Sequence, residues 1–194
     1  RFYNIEEGTV SIDGHSVMDV TLHSLRSQMG IMLQDSFVFS GTIADNIRYG
    51  RLDASNEDIV RVSKLLCADE FISKLPHGYE TIVKERGGGL SQGQKQLIAF
   101  ARTLLADPKI LVLDEATSSI DTSTEQLLQR GINLLLEGRT SFIIAHRLST
   151  IKSCTRIMYV DGGQIKESGS HEELMAKKGY YYDLYMAQYR KDET

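Results

Sequence analysis

The chain has 194 residues, 41% of them hydrophobic and 25% charged, with a formal net charge of −4. That balance belongs to a domain that buries a core, excludes a disordered chain, and offers no overall positive field for nucleic acid or anionic lipid. The longest unbroken apolar run, Leu97 to Ala101, is five residues, far below the roughly 18 of a membrane-crossing helix. Two cysteines, Cys67 and Cys154, lie far apart with no C-x-x-C pair. This argues against a disulfide framework or zinc site and fits a reducing cytosolic setting. The opening Arg1-Phe2-Tyr3 carries no methionine, basic stretch or apolar stretch, so it reads as a start in mid-domain without a targeting segment.

Along the chain, Thr9 to Gly14 alternates apolar and polar residues and ends at Asp-Gly, which predicts a strand and a turn. Gly30 to Leu33 is a second apolar segment ending at Gln34. From Asn56 the spacing becomes helical, with Ile59, Val62, Leu65, Leu66, Phe71, Ile72 and Leu75 before Pro76, and it predicts a helical lobe. Ser91 to Ala106 predicts a long helix with Ser91 as N-cap and Pro108 just past its end. Ile110 to Leu113 reads as a buried strand, Ser123 to Leu136 as a helix, Thr140 to Ala145 as a strand and Leu148 to Cys154 as a short helix. Strands apolar on both sides and separated by helices predict a parallel sheet covered on both faces. Arg156 to Val160 and Gln164 to Glu167, joined by Asp161-Gly162-Gly163, predict a hairpin. Helices are expected at His171 to Lys177 and Tyr180 to Arg190.

The strand Ile110 to Leu113 delivers two adjacent carboxylates, Asp114 and Glu115, at its C-terminal end, where open α/β sheets bind ligands. Neighbouring side chains on a strand point in opposite directions, so Asp114 can serve a magnesium ion and Glu115 a water nucleophile. The alternative is a solvated acidic pair at a helix start. Gly87-Gly88-Gly89, followed by Leu90-Ser91-Gln92-Gly93-Gln94, places a hydroxyl and free backbone N–H groups at the head of a long helix. Such a helix end attracts phosphate, although an ordinary serine cap after a glycine-rich loop reads the same way. His146 closes the strand from Phe142 to Ala145, placed either to donate to a terminal phosphate or to serve structure alone. Gln34 is placed to reach a metal or water. The tyrosines Tyr180, Tyr181, Tyr182, Tyr185 and Tyr189 fit helical packing better than a base-stacking platform, because no basic groove accompanies them.

In this order, the segments resemble the nucleotide-binding domain of ABC transporters, specifically the exporter type, over essentially the whole chain. Gln34 sits where that family has its Q-loop glutamine. Leu90 to Gln94 is similar to the LSGGQ signature, with Gln92 in place of its first glycine. Ile110 to Glu115 matches the Walker B strand, Ser118-Ser119-Ile120-Asp121 the D-loop, and His146 the switch histidine. The stretches Gln34 to Ile43 and Asn46 to Gly50 resemble exporters rather than importers, as do the Glu85-Arg86-Gly87 segment and the run from His171 to Gln188. The resemblance implies a P-loop NTPase-like α/β fold, a mostly parallel sheet covered by helices. Residues 1–34 and 107–194 would form its RecA-like core, and 35–106 an inserted helical lobe carrying the signature. It also implies ATP and Mg²⁺ as cofactors, with Asp114 and Gln34 toward the metal, Glu115 as general base and His146 on the γ-phosphate. Ser91, Gly93, Gln94 and Asp121 would face a nucleotide shared head to tail with a second such domain, in a homodimer or heterodimer. A transmembrane domain of the same polypeptide would place the chain at the cytoplasmic face of a membrane, and no nucleic acid is implied.

The family also needs a phosphate-binding G-x-x-x-x-G-K-[ST] loop, the Walker A motif. None of the lysines follows a glycine; the loop, its helix and the first strands are expected upstream of residue 1. The chain alone is therefore expected to lack ATPase activity, to expose apolar sheet surface, and to self-associate, swap segments or carry a mobile lobe.

Overall fold

The computed structural model describes residues 1–33, 36–84, 87–114, 122–145 and 148–192, with backbone alone for 122, 123, 148, 149 and 188–192. It divides into two compact units, Arg1–Ile143 and Ile144–Thr194.

In the first unit, β1 (Ser11–Ile12) and β2 (His15–Ser16) form an antiparallel hairpin. Its turn residues Asp13 and Gly14 have φ of 51° and 81°, the left-handed pair that an Asp-Gly turn supplies at low cost. Three short helices follow, each opened by a hydroxyl. Thr21 caps α1 (Leu22–Ser27), Thr42 caps α2 (Ile43–Arg48) and Ser55 caps α3 (Asn56–Leu65). Strand β3 (Met29–Met32) lies between α1 and α2, and α4 (Asp69–Ile72) follows α3. The two-residue strands β4 (Gly41–Thr42) and β5 (Ile82–Val83) pair antiparallel and tie the start of α2 to the chain beyond α4.

Helix α5 (Gln92–Ala106) is the axis of this unit. Its residues Leu97, Ile98, Phe100, Ala101 and Leu105 are buried, each large apolar side chain contributing roughly 1.5 to 3 kcal/mol. They share one core with Ile43, Ala44 and Ile47 of α2, with Ile59 and Val62 of α3, and with Leu128, Ile132 and Leu135 of α6 (Thr122–Leu136). Beneath α5 runs β6 (Ile110–Asp114), parallel to β3 with Gly30 beside Leu111 and Met32 beside Leu113. Gly30 is required there, since a Cβ would stand 2.8 Å from the ring of Pro108. β7 (Thr140–Ile144) lies on the other side of β6, and the amide of Thr140 donates to the Lys109 carbonyl, 3.1 Å, so the two strands start together.

The sheet face carrying Met32, Leu111 and Leu113 is covered by α5 and its neighbours. The other face is open: Ile31 is 48% and Phe142 51% exposed. The expectation of cover on both faces thus gives way, among the described residues, to cover on one, and apolar sheet surface is left bare as the sequence suggested. Apolar sequence on both sides of a strand records where cover is needed, without supplying it.

The second unit contains α7 (Leu148–Ser153), β8 (Ile157–Asp161), β9 (Gln164–Gly169), α8 (His171–Lys177) and α9 (Tyr180–Asp192). Gly162 and Gly163, both at positive φ, close the β8–β9 hairpin. Ser170 and Glu173 form a reciprocal cap on α8. The Glu167 carboxylate accepts from the amides of Tyr180 and Tyr181 at 3.2 and 2.9 Å, satisfying two N–H groups at the head of α9. Tyr181 and Tyr185 are buried with Leu174, while Tyr180 stacks on Tyr159 at 5.5 Å. Two of the tyrosines thus serve packing.

Candidate functional site

Strand β6 is buried at Leu111 and Leu113 and ends on half-buried Asp114, which it presents at the edge where β3 also ends. An anionic oxygen donor at the carboxyl edge of a parallel sheet suits a hard divalent cation.

The head of α5 is built from its own first turn. The Ser91 Oγ accepts from the amide of Gln94 at 3.2 Å, and the Gln94 Oε1 accepts in return from the amide of Ser91 at 3.0 Å. This reciprocal cap leaves the amides of Gln92 and Gly93 without intrahelical acceptors. The Ser91 hydroxyl proton also remains free to donate. Helices α2, α3 and α8 place Asp45, Glu57 with Asp58, and Glu172 with Glu173 in their first turns, whereas α5 places no acid there. Its positive end is therefore uncompensated from within, and an anion is favoured beside it. Gly93 is buried and Gln92 exposed. Ahead of this head, Gly87 has φ of 73°, and a Cβ there would stand 2.7 Å from Lys95 Cε.

The structure thus places Ser91, Gly93 and Gln94 together on one helix head and Asp114 at the end of β6. The other expected site residues, Gln34, Glu115, Asp121 and His146, lie outside the described residues. The donors that are described fit phosphate and Mg²⁺: backbone amides, a hydroxyl and a carboxylate.

One arrangement escaped the reading of the sequence. Arg102, on the flank of α5 next to buried Ala101 and Leu105, donates from Nε to the Asn46 carbonyl at 2.9 Å. Its Nη1 reaches the Phe37 carbonyl at 3.1 Å and its Nη2 the Asn46 Oδ1 at 3.2 Å. Burial lowers its pKa from the ordinary value. The available signal was a cation one residue from the apolar stripe of a predicted helix, which usually snorkels to solvent.

A family model described as ABC transporter matches residues 1–118. An uncharacterized ABC transporter ATP-binding protein of Bacillus subtilis, YknV, is 56% identical over 97% of this chain and 31% of its own length. A fatty acid ABC transporter ATP-binding/permease protein of Mycobacterium tuberculosis is 50% identical over 95% of the chain and 29% of its own. An ATP-dependent lipid A-core flippase of Legionella pneumophila is 48% identical over 97% and 32%, respectively. Among solved structures, a bacterial Atm1-family ABC exporter with ATP bound superposes with a TM-score of 0.88 at 44% identity, covering 97% of this chain and 33% of that one. The chain spans about a third of the length of these relatives.

Proposed function

The chain belongs to the ABC transporter family, and from that membership we propose that it is part of the ATP-hydrolysing domain of an exporter that couples hydrolysis to transport across a membrane. The observation that carries this reading is the likeness, along nearly its whole length, to an exporter structure with ATP bound. Residues 35–106 form the signature-bearing lobe and residues 1–34 with 107–194 the RecA-like core. The partners are a second such domain, met head to tail, and a transmembrane domain of the same polypeptide, at the cytoplasmic face of a membrane.

Under this reading Asp114 and Gln34 hold Mg²⁺, which neutralises charge on the transferred phosphoryl group when bound. Glu115 accepts the proton of the attacking water, and His146 donates a hydrogen bond to the γ-phosphate. Ser91 donates its hydroxyl, and Gly93 its amide, to the γ-phosphate held by the partner domain, with Gln94 and Asp121 beside them. Gln92 replaces a signature glycine at the exposed first position of α5 and leaves Ser91 and Gly93 in place. It tunes the contact.

The chain contains no Gly-Lys pair, so the phosphate cradle of the family is not among its residues. Charge-assisted hydrogen bonds contribute about 1.5 to 3 kcal/mol each, and three fewer lower affinity by roughly 10³ to 10⁶. The purified chain is therefore inactive, with negligible binding of millimolar ATP; turnover sensitive to Glu115→Gln in it would overturn this part. In the full-length gene product, Mg²⁺-dependent ATP hydrolysis is expected and Glu115→Gln abolishes it. A second reading, favoured for these 194 residues alone by the lack of a Gly-Lys pair among them, is a non-catalytic module offering Ser91 and Gly93 in trans, and turnover of the full-length product that Glu115→Gln leaves unchanged would select it.

A further inference from the structure

We propose that Arg102 is a positioning residue that locks the segment following Gln34, residues 37–50, onto the helix whose head carries Ser91, so that the two move as one body. The inference rests on the reading of α5 as the signature helix. Its own support is geometric.

Each of the three guanidinium nitrogens of Arg102 donates to that segment. Nε and Nη2 both reach Asn46, at its carbonyl and its Oδ1, and Nη1 reaches the Phe37 carbonyl. Asn46 is buried, and it passes the hold onward. Its Oδ1 accepts from the Phe39 amide at 2.8 Å, and its Nδ2 donates to the carbonyls of Phe39 and Thr42 at 2.9 and 3.0 Å. The guanidinium also lies over the rings of Phe39 and Tyr49, at 5.1 and 5.8 Å. No carboxylate among the described residues forms an ion pair with Arg102. A cation held by backbone carbonyls and an amide fixes the path of a chain, because each bond has a direction that an ion pair lacks. Gly50 closes the same seam, its Cα so near the Arg102 carbonyl that no Cβ fits. Ser91 and Arg102 are eleven residues apart on one helix, about 16 Å at 1.5 Å per residue. A shift at the helix head is thereby delivered to the Phe37, Phe39 and Tyr49 surface.

Native-state hydrogen exchange on the chain tests this without nucleotide, so the clamp and the ATPase reading fail separately. Arg102→Met keeps bulk without donors, and Arg102→Lys keeps charge without the fork. Each is expected to speed exchange of the Phe39 amide at least tenfold, with amides of α3 and α6 within twofold of wild type. Resonance shifts that Phe39→Ala induces in residues 96–102 are expected to vanish in the Arg102→Met background. Uniform acceleration across the unit, an unchanged Phe39 amide, or full rescue by lysine would overturn the proposal. Should either variant not fold, the unmodified chain still decides. The Arg102 Nε–H resonance must exchange at least tenfold more slowly than that of exposed Arg61, and equal rates would refute the clamp.

Discussion

Gly50→Ala is the sharpest perturbation of the seam between α2 and α5. A Cβ at Gly50 would stand 2.0 Å from the carbonyl oxygen of Arg102, 3.0 Å from its carbonyl carbon and 3.4 Å from the Ala106 amide nitrogen. Ordinary contact begins near 3.4 Å, so the two backbones must part by more than 1 Å, and backbone inside a helix cannot rotate aside as a side chain does. A shift of that size takes the Arg102 bonds to Phe37 and Asn46, now 3.1 and 3.2 Å, out of range. Two hydrogen bonds to a charged donor contribute about 3 to 6 kcal/mol together, more than the typical overpacking cost of roughly 1 to 3 kcal/mol. The expected loss is therefore about 3 to 6 kcal/mol, or roughly 6 to 24 °C in Tm at 2 to 4 °C per kcal/mol. The control is Gly138→Ala, where φ is 69° with nothing within 4 Å. It pays only for left-handed backbone, about 1 to 2 kcal/mol. Urea and thermal unfolding of both variants decide the matter, and a Gly50→Ala loss no larger than that of Gly138→Ala would refute the close approach of α2 to α5.

Ser91→Ala removes the oxygen that caps α5 and is expected to cost about 1 kcal/mol, with Ser91→Asp retaining most of it in the same unfolding assay. Acid lowers stability through Asp45, whose carboxyl is held below its ordinary value first by the Thr42 hydroxyl, then by the Thr42 amide. A carboxylate depressed in the folded state contributes fully above its unfolded value, 3.8, and loses that contribution as pH falls through its lower folded value. Asp45→Asn should flatten this part of the acid limb of a stability–pH profile. At the alkaline end, burial raises Tyr79 and Tyr181 to about 12, so their contribution is complete below 10 and disappears as pH climbs from 10 through 12. Tyr79 and Tyr181 should ionise late in an absorbance titration, and Tyr79→Phe should remove one of these late steps. The bare sheet face carrying Ile31 and Phe142 is expected to drive concentration-dependent association; Phe142→Ser should weaken it in light scattering without lowering Tm, and a strictly monomeric parent chain would count against that.

What could be read from the sequence was local. Ser91 announces α5 because a hydroxyl before a helical stripe satisfies orphan amides wherever it occurs, and Asp13-Gly14 or Gly162-Gly163 announce turns because few residues accept positive φ. Asp114 was legible for a similar reason: an apolar strand that ends in an acid must deliver it to the sheet edge. The pairing of β4 with β5 was not legible, since two-residue strands forty residues apart have no period to betray them. Neither was the Arg102 clamp, because its acceptors at Phe37 and Asn46 are mostly main-chain carbonyls, and carbonyls are the same at every position of a sequence. Polar contacts to backbone leave no mark on the partner residue's identity.

That blind spot bears on how α5 works. Its head, its core-facing stripe and its Arg102 flank look like three separate features in the sequence, a cap, an amphipathic pattern and a stray cation. In the structure they are one rigid rod with an anion-seeking end, a buried middle and a fork gripping the segment that follows Gln34. A helix packed along its apolar stripe has little freedom to bend, and under the proposal above a displacement of its head is carried to residues 37–50. The polar grip is a half-buried cation that forms no ion pair with a carboxylate among the described residues and donates to two carbonyls and one side-chain amide oxygen, so what it fixes is the path of residues 37–50.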